Sequence, residues 1–157
     1  MALPLVPFPS DPVPASFSDN KPAEVGPRAL ANMPILIVDD DDDTRDYLRF
    51  LLESQGAIVT AAATAREGFQ LLSSTQLALL LCDISMPDMD GYTLMQKIRT
   101  QLPAPQAQIP AIAITAHARV SDQNHALAAG FQQHLPKPVE AEVLIQTILQ
   151  VAGLKAS

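Results

Sequence analysis

Five short apolar runs, each followed by a stretch of helical period, most constrain what this chain can fold into. The runs lie near 34–38, 57–62, 77–82, 110–114 and 131–135, and the amphipathic stretches near 42–55, 64–73, 91–101, 120–129 and 139–152. Such alternation predicts an α/β fold: a doubly wound, five-stranded parallel sheet with right-handed crossovers and helices on both faces. Local chemistry supports the boundaries. Asp41 to Asp43 bring carboxylates to the first turn of the first helix, where the helix dipole favours them. Gly56 and Gly130 stand where helices should stop. Thr64 and Glu67 have capping-box spacing. Val143, Leu144, Ile148 and Val151 form the apolar stripe of the last helix.

Three polar stations stand at the ends of these runs. Asp39-Asp40 closes Ile35-Leu36-Ile37-Val38. Asp83 closes Leu77 to Cys82 and leads into Ile84-Ser85-Met86-Pro87-Asp88-Met89-Asp90-Gly91. Lys137-Pro138 closes Phe131 to Pro136. In an open parallel sheet, function gathers at the carboxyl ends of the strands. Three carboxylates and one ammonium converging there would form a divalent-metal site beside a carboxylate nucleophile. Asp39 to Asp43 alone could equally be a solvated run that caps a helix.

Composition narrows the function classes. The 157 residues are 48% hydrophobic and 17% charged, which suits one globular domain. A net charge of −7 disfavours the nucleic-acid backbone and anionic membrane surfaces. No apolar run approaches the roughly 20 residues of a membrane span. The first ten residues lack a basic stretch and are broken by Pro4, Pro7 and Pro9, so no secretory signal is read. The single cysteine, Cys82, cannot form an internal disulfide, and a cytoplasmic location is expected. Residues 1–32 read as a disordered, Pro-rich tail, 33–153 as the domain and 154–157 as a short C-terminal tail. The N-terminal tail reads as a leader or linker, or alternatively as a docking segment for a Pro-binding partner. The segment from Leu102 to Gln108 reads as a surface loop without functional constraint.

The chain resembles the receiver domain of two-component response regulators. The matching residues are Asp39, Asp40, Asp83, the Met86-to-Gly91 turn, Thr115-Ala116 and Lys137-Pro138, in the family's order and at about its spacing, over roughly residues 33–152. The resemblance implies a flavodoxin-like receiver fold with strand order 2-1-3-4-5. It implies Mg²⁺, with Mn²⁺ as a substitute, held by Asp39, Asp40, Asp83 and the backbone carbonyl of Ser85. It makes Asp83 the phosphoacceptor, Thr115 the switch hydroxyl and Lys137 the ammonium that pairs first with Asp83 and then with the phosphoryl group. It also implies a cis Lys137-Pro138 peptide bond. His134 stands where the family usually has Tyr or Phe, a ring that swings as the threonine moves. Ser85 and His117 occupy positions that tune phosphate lifetime.

The resemblance further implies a phosphorylation-controlled binding module and not a turnover enzyme. A histidine kinase or histidine phosphotransfer protein would donate the phosphoryl group. A downstream protein would read the face of the fourth helix, fifth strand and fifth helix, including Arg119, Asp122, Gln123, Gln132 and Glu140. No output domain is expected after Ser157. Receivers of hybrid histidine kinases have segments much like Thr115 to Arg119 and Gly130-Phe131, so a fragment of such a kinase is the alternative. A haloacid-dehalogenase-like phosphatase needs an Asp-x-Asp pattern, and Ser85 stands at its second position. A degenerate receiver would lack site residues that are present here.

Overall fold

The computed structural model describes residues 28–116 and 119–153. Five strands alternate with five helices: β1 (Pro34–Val38), α1 (Asp42–Ser54), β2 (Ile58–Ala62), α2 (Ala65–Ser74), β3 (Leu79–Asp83), α3 (Gly91–Gln101), β4 (Ala111–Thr115), α4 (Val120–Ala129), β5 (Gln133–Pro136) and α5 (Ala141–Val151). All strand pairs are parallel, in the order β2-β1-β3-β4-β5. The expected fold class and strand order are both observed.

The sheet is buried on both faces, so its inner strands are apolar throughout. Alternate residues of each strand feed two cores. Leu36, Val38, Leu80, Cys82, Ala111 and Ala113 pack on one side with Leu72, Leu94, Met95, Ile98 and Ala126 of α2, α3 and α4. Ile35, Ile37, Leu79, Leu81, Ile112 and Ile114 pack on the other side with Leu48 and Leu52 of α1 and Leu144 and Ile148 of α5. Capping chemistry sets the helix starts. Asp41 accepts from Thr44 N at 3.0 Å, Thr64 from Glu67 N at 3.1 Å and Asp90 from Thr93 N at 2.8 Å. Glu67 returns to Ala63 N, one residue before the cap, so the expected box closes one position early. Gly130 ends α4 at φ 118°, a conformation that side-chain-bearing residues seldom adopt.

Three local expectations change. Residues 28–32, assigned to the tail, pack on the domain: Leu30 is buried, its N–H donates to Gln55 O, and Asn32 N–H donates to Gly56 O. One leucine among small and proline residues gives no periodic signal, yet it fills the end of the α1/α5 core. Residues 1–27 and 154–157 lie outside the described residues. The 102–108 segment contains a 3-10 turn at Gln106–Gln108. Gln106 Nε2 donates to the carbonyls of Leu72 and Thr75, so this segment ties α2 to α3 instead of hanging free. Phe131, expected in the fifth strand, is buried just before it.

Candidate functional site

The chain leaves β1 for β2 on one side and returns to β3 on the other. This reversal opens a crevice at the carboxyl ends of β1 and β3. Asp39 follows the last residue of β1, and Asp83 is the last residue of β3. Asp39, Asp40 and Asp83 each bring a carboxylate oxygen within 4.8 Å of the others. Lys137, just beyond β5, places Nζ 3.3 Å from Asp83 Oδ1 and 3.3 Å from Asp39 Oδ2.

Backbone and side-chain bonds hold these groups. Asp39 N–H donates to Ala62 O of β2, and its Oδ1 accepts from Asp41 N at 2.9 Å. Arg45 Nη1 donates to Asp39 O at 2.8 Å and its other amino group pairs with Asp42. Ile84 N–H, directly after Asp83, donates to Ile114 O of β4. Thr115 is buried at the end of β4, and its carbonyl accepts from Lys137 N at 2.8 Å. That bond ties the threonine's backbone to the lysine's. The Lys137-Pro138 bond is cis.

Two carboxylates buried together in one crevice resist ionisation. Burial first, then the neighbouring charge of Asp39, pushes the Asp83 carboxyl up to about 6, although Lys137 pulls the other way. Burial likewise raises Asp39 above the usual carboxylate range, against the lowering pull of the Asp41 amide and Lys137. Burial works against the Lys137 ammonium, but Asp39 and Asp83 together outweigh it and hold its pKa above that of ordinary lysine. Among the described residues Asp39 Oδ2 is buried and accepts no hydrogen bond, and the Lys137 ammonium stands 3.3 Å from it. A hard cation fits this need, since Mg²⁺ takes oxygen ligands and retains several waters. The exposed Asp40 leaves one side of the cluster open to solvent.

The remaining residues fall around this centre. Ser85 is exposed two residues past Asp83. His134 is buried in β5, nine per cent exposed, and neither ring nitrogen has a hydrogen-bond partner among the described residues. His117 lies outside the described residues. A groove of about 520 Å³ opens beside Lys137, lined by Asp43, Thr44, Tyr47, Leu48, Pro138 and Val139. Arg45 is not legible as a site residue in the sequence; its three-residue spacing from Asp42 is a helix-pair signal that gives no hint of the Asp39 contact. Gly91 opens α3 against the end of β3. Its constraint is space, not an unusual φ: a Cβ there would stand 2.6 Å from Asp83 O and 2.9 Å from Ile84 Cδ1.

A doubly wound five-stranded sheet with this acidic crevice and its lysine defines a receiver-type signalling domain. Residues 35–149 match the response regulator receiver domain, and the chain belongs to that family. An uncharacterised 14.6 kDa protein of Leptolyngbya boryana is 49% identical over 123 residues, covering 78% of this chain and 92% of that one. The sensor histidine kinase RcsC of Escherichia coli K12 is 36% identical over 120 residues, covering 74% of this chain but only 12% of the kinase. A solved receiver domain of sensor histidine kinase PA1611 from Pseudomonas aeruginosa PAO1 has a magnesium ion coordinated in its active-site cleft. It superposes with a TM-score of 0.71 at 28% identity, covering 78% of this chain and 99% of that one. Receivers are signalling domains rather than turnover enzymes, and they interact with histidine kinases or phosphotransfer proteins. Among the described residues no helix is long and apolar enough to cross a membrane.

Proposed function

We propose that Asp83 is the phosphoacceptor of this receiver. The observation that carries this reading is the convergence of Asp39, Asp40, Asp83 and Lys137 at the ends of β1, β3 and β5. An Asp83 carboxylate oxygen attacks the phosphorus of a phosphohistidine on a histidine kinase or phosphotransfer protein. The new O–P bond forms as the N–P bond breaks, and the electron pair stays on the imidazole nitrogen. Asp39, Asp40, Asp83 and the carbonyl of Ser85 would hold Mg²⁺, or Mn²⁺ in its place, which supplies positive charge against the repulsion between carboxylates and phosphoryl oxygens. Lys137 transfers its ion pair from Asp83 to the phosphoryl group. Thr115 donates its hydroxyl to a phosphoryl oxygen.

Thr115 and His134 then rearrange, and a downstream protein reads the change on α4, β5 and α5. Exposed Val120, Leu127 and Val143 on those helices offer apolar contacts for it. Ser85 and His117 tune the lifetime of the acyl phosphate. The domain works in the cytoplasm. The short share of RcsC that this chain covers supports a second placement, as a receiver segment within a hybrid kinase.

Labelling with a small phosphodonor tests the assignment. Wild type with Mg²⁺ should take up one phosphoryl group per chain, and Asp83→Asn or EDTA should abolish uptake. Equal labelling of Asp83→Asn would overturn it. Continuous phosphate release at a high rate would point to a phosphatase instead.

A further inference from the structure

A second groove, of about 490 Å³, lies between α2 and α3 and shares no lining residue with the acidic cluster. Arg66, Phe69, Gln70 and Ser73 of α2 line one wall, and Lys97 of α3 and Met89 of the β3–α3 loop line the other. Its chemistry runs against the net charge of the chain. The two charged side chains in its lining are cations, and neither pairs with a carboxylate among the described residues. Glu67, the nearest acid along α2, is turned into the helix cap on Ala63 N. The half-buried Phe69 and Met89 pack on the core and form an apolar floor, with Lys97 Nζ 5.5 Å from the Phe69 ring centroid. An aromatic ring beside a carboxylate would fit this groove: the ring meets Phe69 and Met89, and the carboxylate meets Arg66 or Lys97.

We propose that the groove binds the chain's own N-terminal segment, through Phe17 and Asp19 or through Phe8 and Asp11. Phe8-Pro9-Ser10-Asp11 and Phe17-Ser18-Asp19 repeat the same pairing of an aromatic ring with an acid two or three residues later. The side chains of residues 1–27 include Asp11, Asp19 and Glu24 against Lys21, so the segment complements the groove in charge. The described chain begins at Arg28, beside Gly56 at the α1–β2 turn. Phe17 is eleven residues upstream, a reach of roughly 36–40 Å when extended. That is about the width of a domain with a radius of gyration of about 14 Å. Exposed ion pairs contribute little each. The tether therefore matters: covalent linkage within one chain gives the segment an effective concentration that a free peptide lacks. Met89 belongs to the loop that follows Asp83, so the segment would rest against that loop without entering the crevice. The proposal is independent of any role for Asp83.

Paramagnetic broadening in the full chain tests it. A nitroxide is attached after Ser18→Cys; Cys82 is fully buried and stays unlabelled. The Met89 methyl and the Phe69, Gln70 and Lys97 amides should broaden severalfold more than residues of α5. Arg66→Glu with Lys97→Glu, or Phe8→Ser with Phe17→Ser, should remove that broadening and leave the rest of the spectrum in place. Should charge reversal disturb folding, Arg66→Gln with Lys97→Gln serves the same purpose. High salt should weaken the effect. No selective broadening, or broadening that survives both double substitutions, overturns the proposal. Broadening seen only between labelled and isotope-enriched chains in a mixture overturns it too, and assigns the groove to a second copy.

Discussion

The Lys137 ammonium lies 3.3 Å from Oδ1 of Asp83, although β4 separates their strands in the sheet. The same ammonium serves Asp39, so one partly exposed cation compensates two buried carboxylates. Removing one partner of a buried pair typically costs roughly 3–5 kcal/mol. Protonation of the stranded acids and the partial exposure of Lys137 reduce that. Lys137→Met should therefore lower metal-free stability at pH 7.5 by about 2 kcal/mol, read by urea denaturation in EDTA. Much of the loss should return at pH 5, below the raised Asp83 pKa of about 6. An equal loss at both pH values would mean that the lysine acts through packing alone.

The raised Asp83 carboxyl makes a pH prediction of definite sign. Its folded pKa of about 6 lies above the ordinary 3.8, so the folded state binds the extra proton. The associated stability is fully present below about pH 4 and is lost as pH rises through about 6. The shift of about two units sets a ceiling of about 3 kcal/mol on the loss. Asp39, also raised, acts in the same direction. Metal-free wild type should thus lose stability between pH 5 and 7.5, and Asp83→Asn should flatten much of that slope. A wild-type profile that rises over this range would contradict the burial argument.

The same protonation competes with metal. If Asp83 is a ligand as proposed, a cation below about pH 6 must displace its proton, so apparent Mg²⁺ affinity should fall as pH drops through 6, by up to about tenfold per unit, and level off above 7. Calorimetric titration at fixed ionic strength measures this. In Asp83→Asn the affinity should be lower overall and less dependent on pH. A pH-independent wild-type affinity would place the cation away from Asp83.

Gly91 couples local sequence to the site through space. A methyl group there would press on Asp83 O and on Ile84, two backbone-anchored neighbours. Gly91→Ala should cost about 1–3 kcal/mol through overpacking and slow phosphoryl uptake by shifting the Asp83 carbonyl. Unchanged stability and uptake would show that the β3–α3 loop yields freely.

How far the sequence disclosed this arrangement depends on whether each feature is local. Asp39, Asp83 and Lys137 stand where apolar runs stop, and a run's end is visible in a few letters. Asp90 and Thr64 cap their helices through neighbours three residues away, and such spacing is also legible. Gly91 announces a small residue, but the letter cannot separate a φ requirement from a spatial one. Arg99 carries no such local signal: its guanidinium donates to Gly130 O at 2.5 Å and to Ala107 O at 3.0 Å, joining segments distant in sequence. Leu30 and Gln106 likewise make contacts that no periodicity encodes. The Tyr92–His125 stack, 3.6 Å between centroids, joins α3 to α4 in the same hidden way.

His134 offers the last test, because its imidazole is buried with both nitrogens unpartnered among the described residues. A polar ring buried without hydrogen bonds loses its hydration uncompensated. An apolar side chain of similar size should fit the same site at lower cost. His134→Leu should raise stability by about 1 kcal/mol, and His134→Phe by less, because its larger ring must push against packed neighbours. Urea denaturation at pH 7.5 compares them. A loss of 1 kcal/mol or more in His134→Leu would mean that the imidazole has a partner, such as an ordered water, and that its burial is a satisfied one. The same two variants should then be assayed for binding to a downstream partner after phosphorylation. If the ring is the moving part of the switch, His134→Phe should retain phosphorylation-dependent binding and His134→Leu should lose part of it. Identical binding by both would leave His134 as core filling in β5.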